Sequence, residues 1–218
     1  MCKISDLYDL SHTLAAGYLA SFTYPWEALK GIKDTVIALG EGLSKEEYTQ
    51  IAPQVWAHRT AVIAPTASVS GPCIIGANTE VRQCAFIRGS ALIGENCVVG
   101  NSTELKNVII FDNVQVPHFN YVGDSILGYR SHMGAGSITS NVKSDKSLVV
   151  IKCDPPMETG IKKVGAMLGD FVEIGCNSVL NPGTVIGRNS SVYPTSCVRG
   201  VIPPNSIYKK DDTIVTKK

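Results

Sequence analysis

Arg88 and Lys106 stand eighteen residues apart, and His118 follows Lys106 by twelve. A guanidinium offers a planar fork and an ammonium a point charge, so together they can clamp a phosphate. By themselves the two could equally be solvated surface charges. His118 is the residue whose neutral form suits a general base near pH 7, provided a carboxylate steadies its ring. Glu104 is the nearby carboxylate and Tyr121 adds a hydroxyl. A lone histidine is more often structural or a surface residue, so the weight of this set depends on whether the chain brings its members together.

The elements that must do so are written in a six-residue rhythm. Large aliphatic residues recur at Ile63, Val69, Ile75, Val81, Ile87, Ile93, Val99 and Leu105, and again at Leu168, Ile174, Leu180, Ile186, Val192 and Val198. Four residues after each, small side chains recur: Ala67, Cys73, Thr79, Ala85, Ala91 and Cys97, later Ser178, Thr184, Ser190 and Ser196. Glycine often follows the aliphatic residue, as at Gly76, Gly94, Gly100, Gly175 and Gly187, and allows a tight turn. Short strands joined by turns at this spacing wind a narrow three-sided prism, a parallel β-helix with three repeats to a coil. Residues eighteen apart then stack at the strand spacing of about 4.8 Å. Arg88 and Lys106 become coil neighbours, two cations that repel unless an anion lies between or above them. Past Leu105 the rhythm reaches Phe111 and Pro117 and then stumbles, since Val122 arrives one residue early. The segment "PHFNYVGD" therefore marks a local defect that would re-aim side chains, as a bulge does.

The rest of the chain differs. Residues 1–52 read as a small helical cap: apolar residues fall at helical spacing, Pro25 opens the second helix, and Ser44 with Glu47 resembles a capping box for a third. Such a cap would cover the end of the β-helix, which occupies residues 53–203, with a tail at 204–218. Residues 139–163 break the repeat as an inserted loop or hairpin arm with an exposed, cationic stem, and a loop of that length inside a solenoid is usually functional. Of 218 residues 44% are hydrophobic and 18% charged, with a net charge of +1. That balance gives no electrostatic case for nucleic acid or an acidic membrane. No apolar run is long enough to span a membrane, and "MCKISDLYDL" is a poor signal peptide, so a cytoplasmic protein is expected. Seven cysteines without a CxxC pair read as reduced thiols, and no metal site is expected.

The segments "NSTELKN", "PHFNYVGDSILG" and "GAGSITSN" resemble, in order and spacing, the acetyltransferase domain of the bifunctional N-acetylglucosamine-1-phosphate uridylyltransferase/glucosamine-1-phosphate acetyltransferase family. The likeness runs over about residues 60–205 and is nearest to the archaeal and stand-alone relatives. It implies a left-handed β-helix assembled as a homotrimer, with acetyl-CoA as co-substrate and an amino-sugar phosphate as acceptor. Arg88 and Lys106 match the sugar-phosphate ligands and Tyr121 a further substrate contact. His118 matches the base that takes a proton from the attacking amine, with Glu104 as its partner. Ala135, Asn141, Cys176 and Pro194 match positions beside acetyl-CoA.

Departures from the family pattern are specific. His132 replaces the asparagine that helps hold the sugar, and Val142 replaces the aromatic residue that commonly follows Asn141. No Gly-rich "GxGTR" nucleotide loop is present, and the first fifty residues cannot form a nucleotidyltransferase, so uridylyl transfer is not expected. The leading expectation is an acetyl-CoA-dependent N-acetyltransferase for glucosamine-1-phosphate or a related amino sugar. A β-helical O-acetyltransferase and a non-catalytic structural or regulatory β-helix are the alternatives.

Overall fold

The computed structural model describes residues 1–209 and 212–217. The repeat winds a β-helix of about nine turns. Its first face carries Val62–Ile63, Glu80–Val81, Val98–Asn101, Gln115–His118, His132–Met133, Glu173–Ile174, Ser191–Val192 and Ser206–Tyr208. The second carries Ser68–Val69, Phe86–Ile87, Ile138–Thr139, Val179–Leu180 and Cys197–Val198, and the third Val55–His58, Cys73–Ile75, Ala91–Ile93, Ala166–Leu168, Thr184–Ile186 and Val201–Ile202. Two seven-residue strands, Glu104–Ile110 and Tyr121–Leu127, run through the corner between the second and third faces and join both into one sheet.

The aliphatic positions are buried from Ile75 onward, with Ile63 and Val69 of the first coil partly so, and the small hydroxylated residues at the corners are buried too. With the exception of Ser131 Oγ, which is buried without a partner, their hydroxyls find carbonyls: Thr79 Oγ1 donates to Gly94 at 2.8 Å and Thr103 Oγ1 to Val116 at 3.1 Å, both on the adjoining coil. This is why Ser and Thr alternate with Ala and Cys there, since a buried hydroxyl is tolerated only when bonded.

The coil length explains the stumble and moves it. Ile75 pairs with Ile93, eighteen residues on, but Ile93 pairs with Ile110 and Val99 with Val116, each seventeen on. The aliphatic positions after Leu105 are thus Ile110 and Val116, where the six-residue count had placed Phe111 and Pro117. The missing residue lies at Lys106–Asn107, and the next coil repeats the short corner at Gly123–Asp124. Asn107 and Asp124 take left-handed backbone with φ of 54° and 49°, which turns the corner in one residue fewer. His118 consequently sits at the end of its strand, two residues after Val116.

The N-terminal helices, Ile4–Leu7, Ala16–Leu19 and Ile32–Glu41 with 3-10 turns at Leu10–His12 and Pro25–Gly31, lie along the third face and do not cover an end. Glu27 Oε2 accepts from the backbone of Thr23 and Tyr24, capping the turn that Pro25 opens. Tyr8 reaches across to Ile126 and packs on Phe111. Ser44 and Glu47 close a single turn, not a third helix, because Tyr48–Ala52 pairs antiparallel with Val55–His58 and continues the sheet. At the other end Ser206–Tyr208 still belongs to the ladder, where a tail was expected, and Ile214–Thr216 pairs antiparallel upon it.

The insertion leaves after Thr139 and returns at Ala166. It holds the expected hairpin, Val150–Ile151 with Met157–Glu158. Lys162 and Lys163 at its stem are exposed. Its body does not project, however: Val149, Ile151 and Val164 are buried, and Gly183 lies directly beneath Val149 and Ile151.

Candidate active site

The second face gathers four of the residues singled out by the sequence. Glu104 pairs with Tyr121 in one column, and Phe86 lies below Glu104 in the same column. Arg88 and Lys106 stand in the adjoining column, joined through the Arg88 N–H to the Leu105 carbonyl at 2.9 Å, with Gly123 above Lys106. The anion the two cations require is supplied by the chain. Arg88 Nη1 lies 2.7 Å from Glu104 Oε1, and Lys106 Nζ lies 3.9 Å from Asp124 Oδ2. A phosphate entering here must therefore compete with two carboxylates.

The absence of a side chain at Gly123 shapes the roof over Lys106. A Cβ there would meet Tyr121 Oη at 2.5 Å and Asn141 Nδ2 at 3.0 Å. Those two groups occupy the space and bond each other, Asn141 Nδ2 donating to Tyr121 Oη at 3.2 Å. Burial and the charge of Asp124 raise the Tyr121 phenol above its ordinary range, so it serves as a neutral hydroxyl at physiological pH.

His118 occupies the corner between the first and second faces, three residues before Tyr121 and about 10 Å of extended chain from it. Its ring is exposed, and no hydrogen bond or ion pair joins it to Glu104 among the described residues. The carboxylate expected as its partner is held by Arg88 instead. The corner itself is rigidly tied. Buried Asn120 accepts from the His118 N–H at 3.0 Å and donates to the carbonyls of Gly134 and Ser137 at 2.8 and 3.0 Å. Phe119 between them is 63% exposed and holds φ of 52°, a costly conformation for an aromatic residue.

Above His118 the corner continues as a column. The Gly136 N–H donates to the His118 carbonyl, the Asn177 N–H to that of Ala135, and the Thr195 N–H to that of Cys176. His118, Ala135, Cys176 and Pro194 thereby occupy successive coils at one edge, while Asn141 stands at the opposite edge of the second face. His132 falls elsewhere: it belongs to the first face, and its Nδ1 lies 2.8 Å from Glu173 Oε2. Asp124 and Asn107 were missed by the sequence reading. Their signal, a seventeen-residue interval, is hidden while the coil is taken as eighteen.

No group of His, Cys, Asp and Glu suited to a metal occurs among the described residues, and no helix among them is long and apolar enough to cross a membrane.

Residues 69–154 match the family of the GMPPB C-terminal domain. The bifunctional protein GlmU of Methanococcus maripaludis (strain S2) is 33% identical over 206 residues, which is 93% of this chain and 50% of that protein. The counterpart from strain C5 is 35% identical over 135 residues, 62% of this chain and 33% of its own length. The chain therefore spans half or less of these relatives. Among solved structures, a hexapeptide transferase family protein from Anaplasma phagocytophilum aligns over 75% of this chain and 80% of its own at 16% identity, with a TM-score of 0.43.

Proposed function

Starting from this chain's kinship with the GlmU-type acetyltransferase domain, we propose that it transfers the acetyl group of acetyl-CoA to the amine of an amino-sugar phosphate, with glucosamine-1-phosphate the leading acceptor. The observation that carries the proposal is the juxtaposition on one face. An exposed histidine and its corner column border a strip where two cations, the Glu104 carboxylate and a phenol are gathered, with the buried Asp124 carboxylate beside Lys106.

In this reading the acceptor lies on the second face, its phosphate displacing the carboxylates from Arg88 and Lys106. Its amine attacks the thioester carbonyl carbon. The nitrogen loses a proton to the His118 imidazole, the C–S bond breaks as the tetrahedral intermediate collapses, and CoA leaves as the thiolate, which takes up a proton. The Gly136, Asn177 and Thr195 amides are already bonded within the corner column, so the neighbouring Ala135 amide is the donor left to the developing oxyanion. Glu104 acts on Arg88 and not on His118: it keeps the guanidinium aligned until the anion arrives. Acetyl-CoA runs along Ala135, Cys176 and Pro194, with Asn141 at the facing edge. A homotrimer, with sites completed between neighbouring copies, is part of the same proposal.

The test is an acceptor screen that follows CoA thiol release, with glucosamine-1-phosphate, glucosamine and a nucleotide amino sugar as acceptors. Turnover with the phosphorylated amine, and little with free glucosamine, is the expected result. Thiol release with none of the amines but with a hydroxyl acceptor would replace this reading by O-acetylation. A chain inert to all of them would be a structural or regulatory β-helix, for which two cations already neutralised by carboxylates are sufficient explanation. Light scattering should report three copies.

A further inference from the structure

As a ligand of Lys106 the Asp124 carboxylate is a group that phosphate displaces, yet it is buried and bonded from both adjoining coils. We propose that Asp124 is a positioning residue which sets how far Lys106 is available to an anion and where Asn141 points, and that it is itself tuned from the helical segment through Asn107. The proposal rests on the reading of the second face as an anion-binding site.

Asp124 is 5% exposed. A carboxylate so placed stays charged only if donors surround it. Two hydrogen-bond donors and one cation do, each from a different coil or corner position. Asn107 Nδ2, seventeen residues earlier, donates to Oδ1 at 2.8 Å. Asn141 Nδ2, seventeen residues later, donates to Oδ2 at 2.5 Å. Lys106 Nζ stands 3.9 Å from that same Oδ2. The stacking is a product of the short corner: left-handed backbone at Asn107 and Asp124 puts their side chains directly one above the other.

Three further bonds fix the ends of this ladder. Asn107 Nδ2 also faces the Leu29 carbonyl at 3.2 Å, in the turn Pro25–Gly31, so the N-terminal segment holds its lower rung. At the top, the Asp124 carbonyl accepts from the Gly165 N–H at 2.8 Å and the Asn141 carbonyl from the Val164 N–H at 3.1 Å. The returning arm thus docks on the same residues. From Leu29 to Tyr121 Oη the contacts are continuous: Leu29, Asn107, Asp124, Asn141, Tyr121.

The charges give the ladder a sign. Asp124 competes with an incoming phosphate for Lys106, while Asn107 draws off part of its charge through a hydrogen bond. Removing the carboxylate charge frees Lys106; removing Asn107 leaves the carboxylate to hold Lys106 more strongly. The two lesions should therefore move anion affinity in opposite directions, which a role confined to folding would not produce.

The test is calorimetric titration of inorganic phosphate and of glucosamine-1-phosphate into the intact chain and into Asp124→Asn and Asn107→Ala, with steady-state acetyl transfer alongside. Asp124→Asn should tighten phosphate by roughly three- to thirtyfold. The same variant should lower kcat by about ten- to a hundredfold, because Asn141 loses a charge-assisted partner, so that KM and kcat both fall. Asn107→Ala should weaken phosphate. Shifts of the same sign in the two variants, or no shift in either, would overturn the proposal. If Asp124→Asn fails to fold, Asn107→Ala decides alone: unchanged or tighter phosphate binding refutes it. Absence of acetyl transfer by the wild-type chain would sink the catalytic reading but leave the two phosphate titrations to judge the ladder.

Discussion

Gly123→Ala isolates the roof over Lys106 from the rest of the fold. Gly123 is not among the glycines at positive φ, so alanine brings no backbone strain. The added methyl would lie 2.5 Å from Tyr121 Oη and 3.0 Å from Asn141 Nδ2, the tips of two side chains. Ordinary van der Waals contact begins near 3.4 Å, so the phenol must retreat by about 0.9 Å and the amide by about half that. Both tips can move, so the stability cost should stay near the low end of overpacking, about 1 kcal/mol. For a chain of this size that is a fall in Tm of about 2–4 °C. Activity should suffer far more, because a displacement on the order of 1 Å in a positioned group can cost about a hundredfold in rate. Glucosamine-1-phosphate turnover and a calorimetric melt, measured on the same preparation, give both numbers. Gly17→Ala is the control, since nothing lies within 4 Å of its Cβ. A Gly123→Ala protein that melts like wild type and turns over like wild type would show that Tyr121 and Asn141 need not sit where they do.

Three other outcomes are expected. His118→Ala should lose about a hundred- to ten-thousandfold in kcat with an unchanged circular dichroism spectrum, because the ring is exposed and its corner is pinned through backbone and Asn120. Arg88→Ala and Lys106→Ala should each raise KM for a phosphorylated acceptor about ten- to a hundredfold and leave free glucosamine indifferent; equal effects on both acceptors would make the cations structural. Peptide mapping after a brief thiol-reagent pulse at pH 8 should find Cys84, Cys176 and Cys197 modified. Cys73 and Cys97, whose thiols burial pushes up to about 12, should react only once the chain unfolds. Acetyl-CoA should protect Cys176 and not Cys84.

The β-helix was legible because its rule is local: one aliphatic, one small residue, one turn, repeated. Arg88 beneath Lys106 follows from that rule alone, and both lie where it puts them. The rule failed where its period changed. Counting by six carried the aliphatic position onto Phe111 and Pro117, since Phe111 is as apolar as Ile110 and nothing in the residue types marks Asn107 as a shortened corner. With the corner misplaced, the column of Asn107, Asp124 and Asn141 could not be seen. Glu104 was assigned to His118 by proximity in sequence, whereas a side chain on a β-helix meets its neighbours on adjoining coils, and Arg88 is the nearer cation. Sequence alone makes the helical segment an end cover because a solenoid needs its ends closed. Short antiparallel strands, Tyr48–Ala52 and Ile214–Thr216, meet that need, which leaves the helices free to lie elsewhere.

Where they lie restricts what can approach the molecule. Helices blanket one side of the triangular rod, reaching from the coil of Cys73–Ile75 to that of Tyr121–Leu127, and along that side a visitor meets helix before it meets sheet. Among the described residues, bare strands look outward on the other two sides, and these share a single edge, the one that carries His118. Any neighbour that lays itself against the exposed strands, whether a small substrate or another copy of the chain, is therefore channelled toward the same ridge. A rod that is uniform along its length acquires in this way a front and a back.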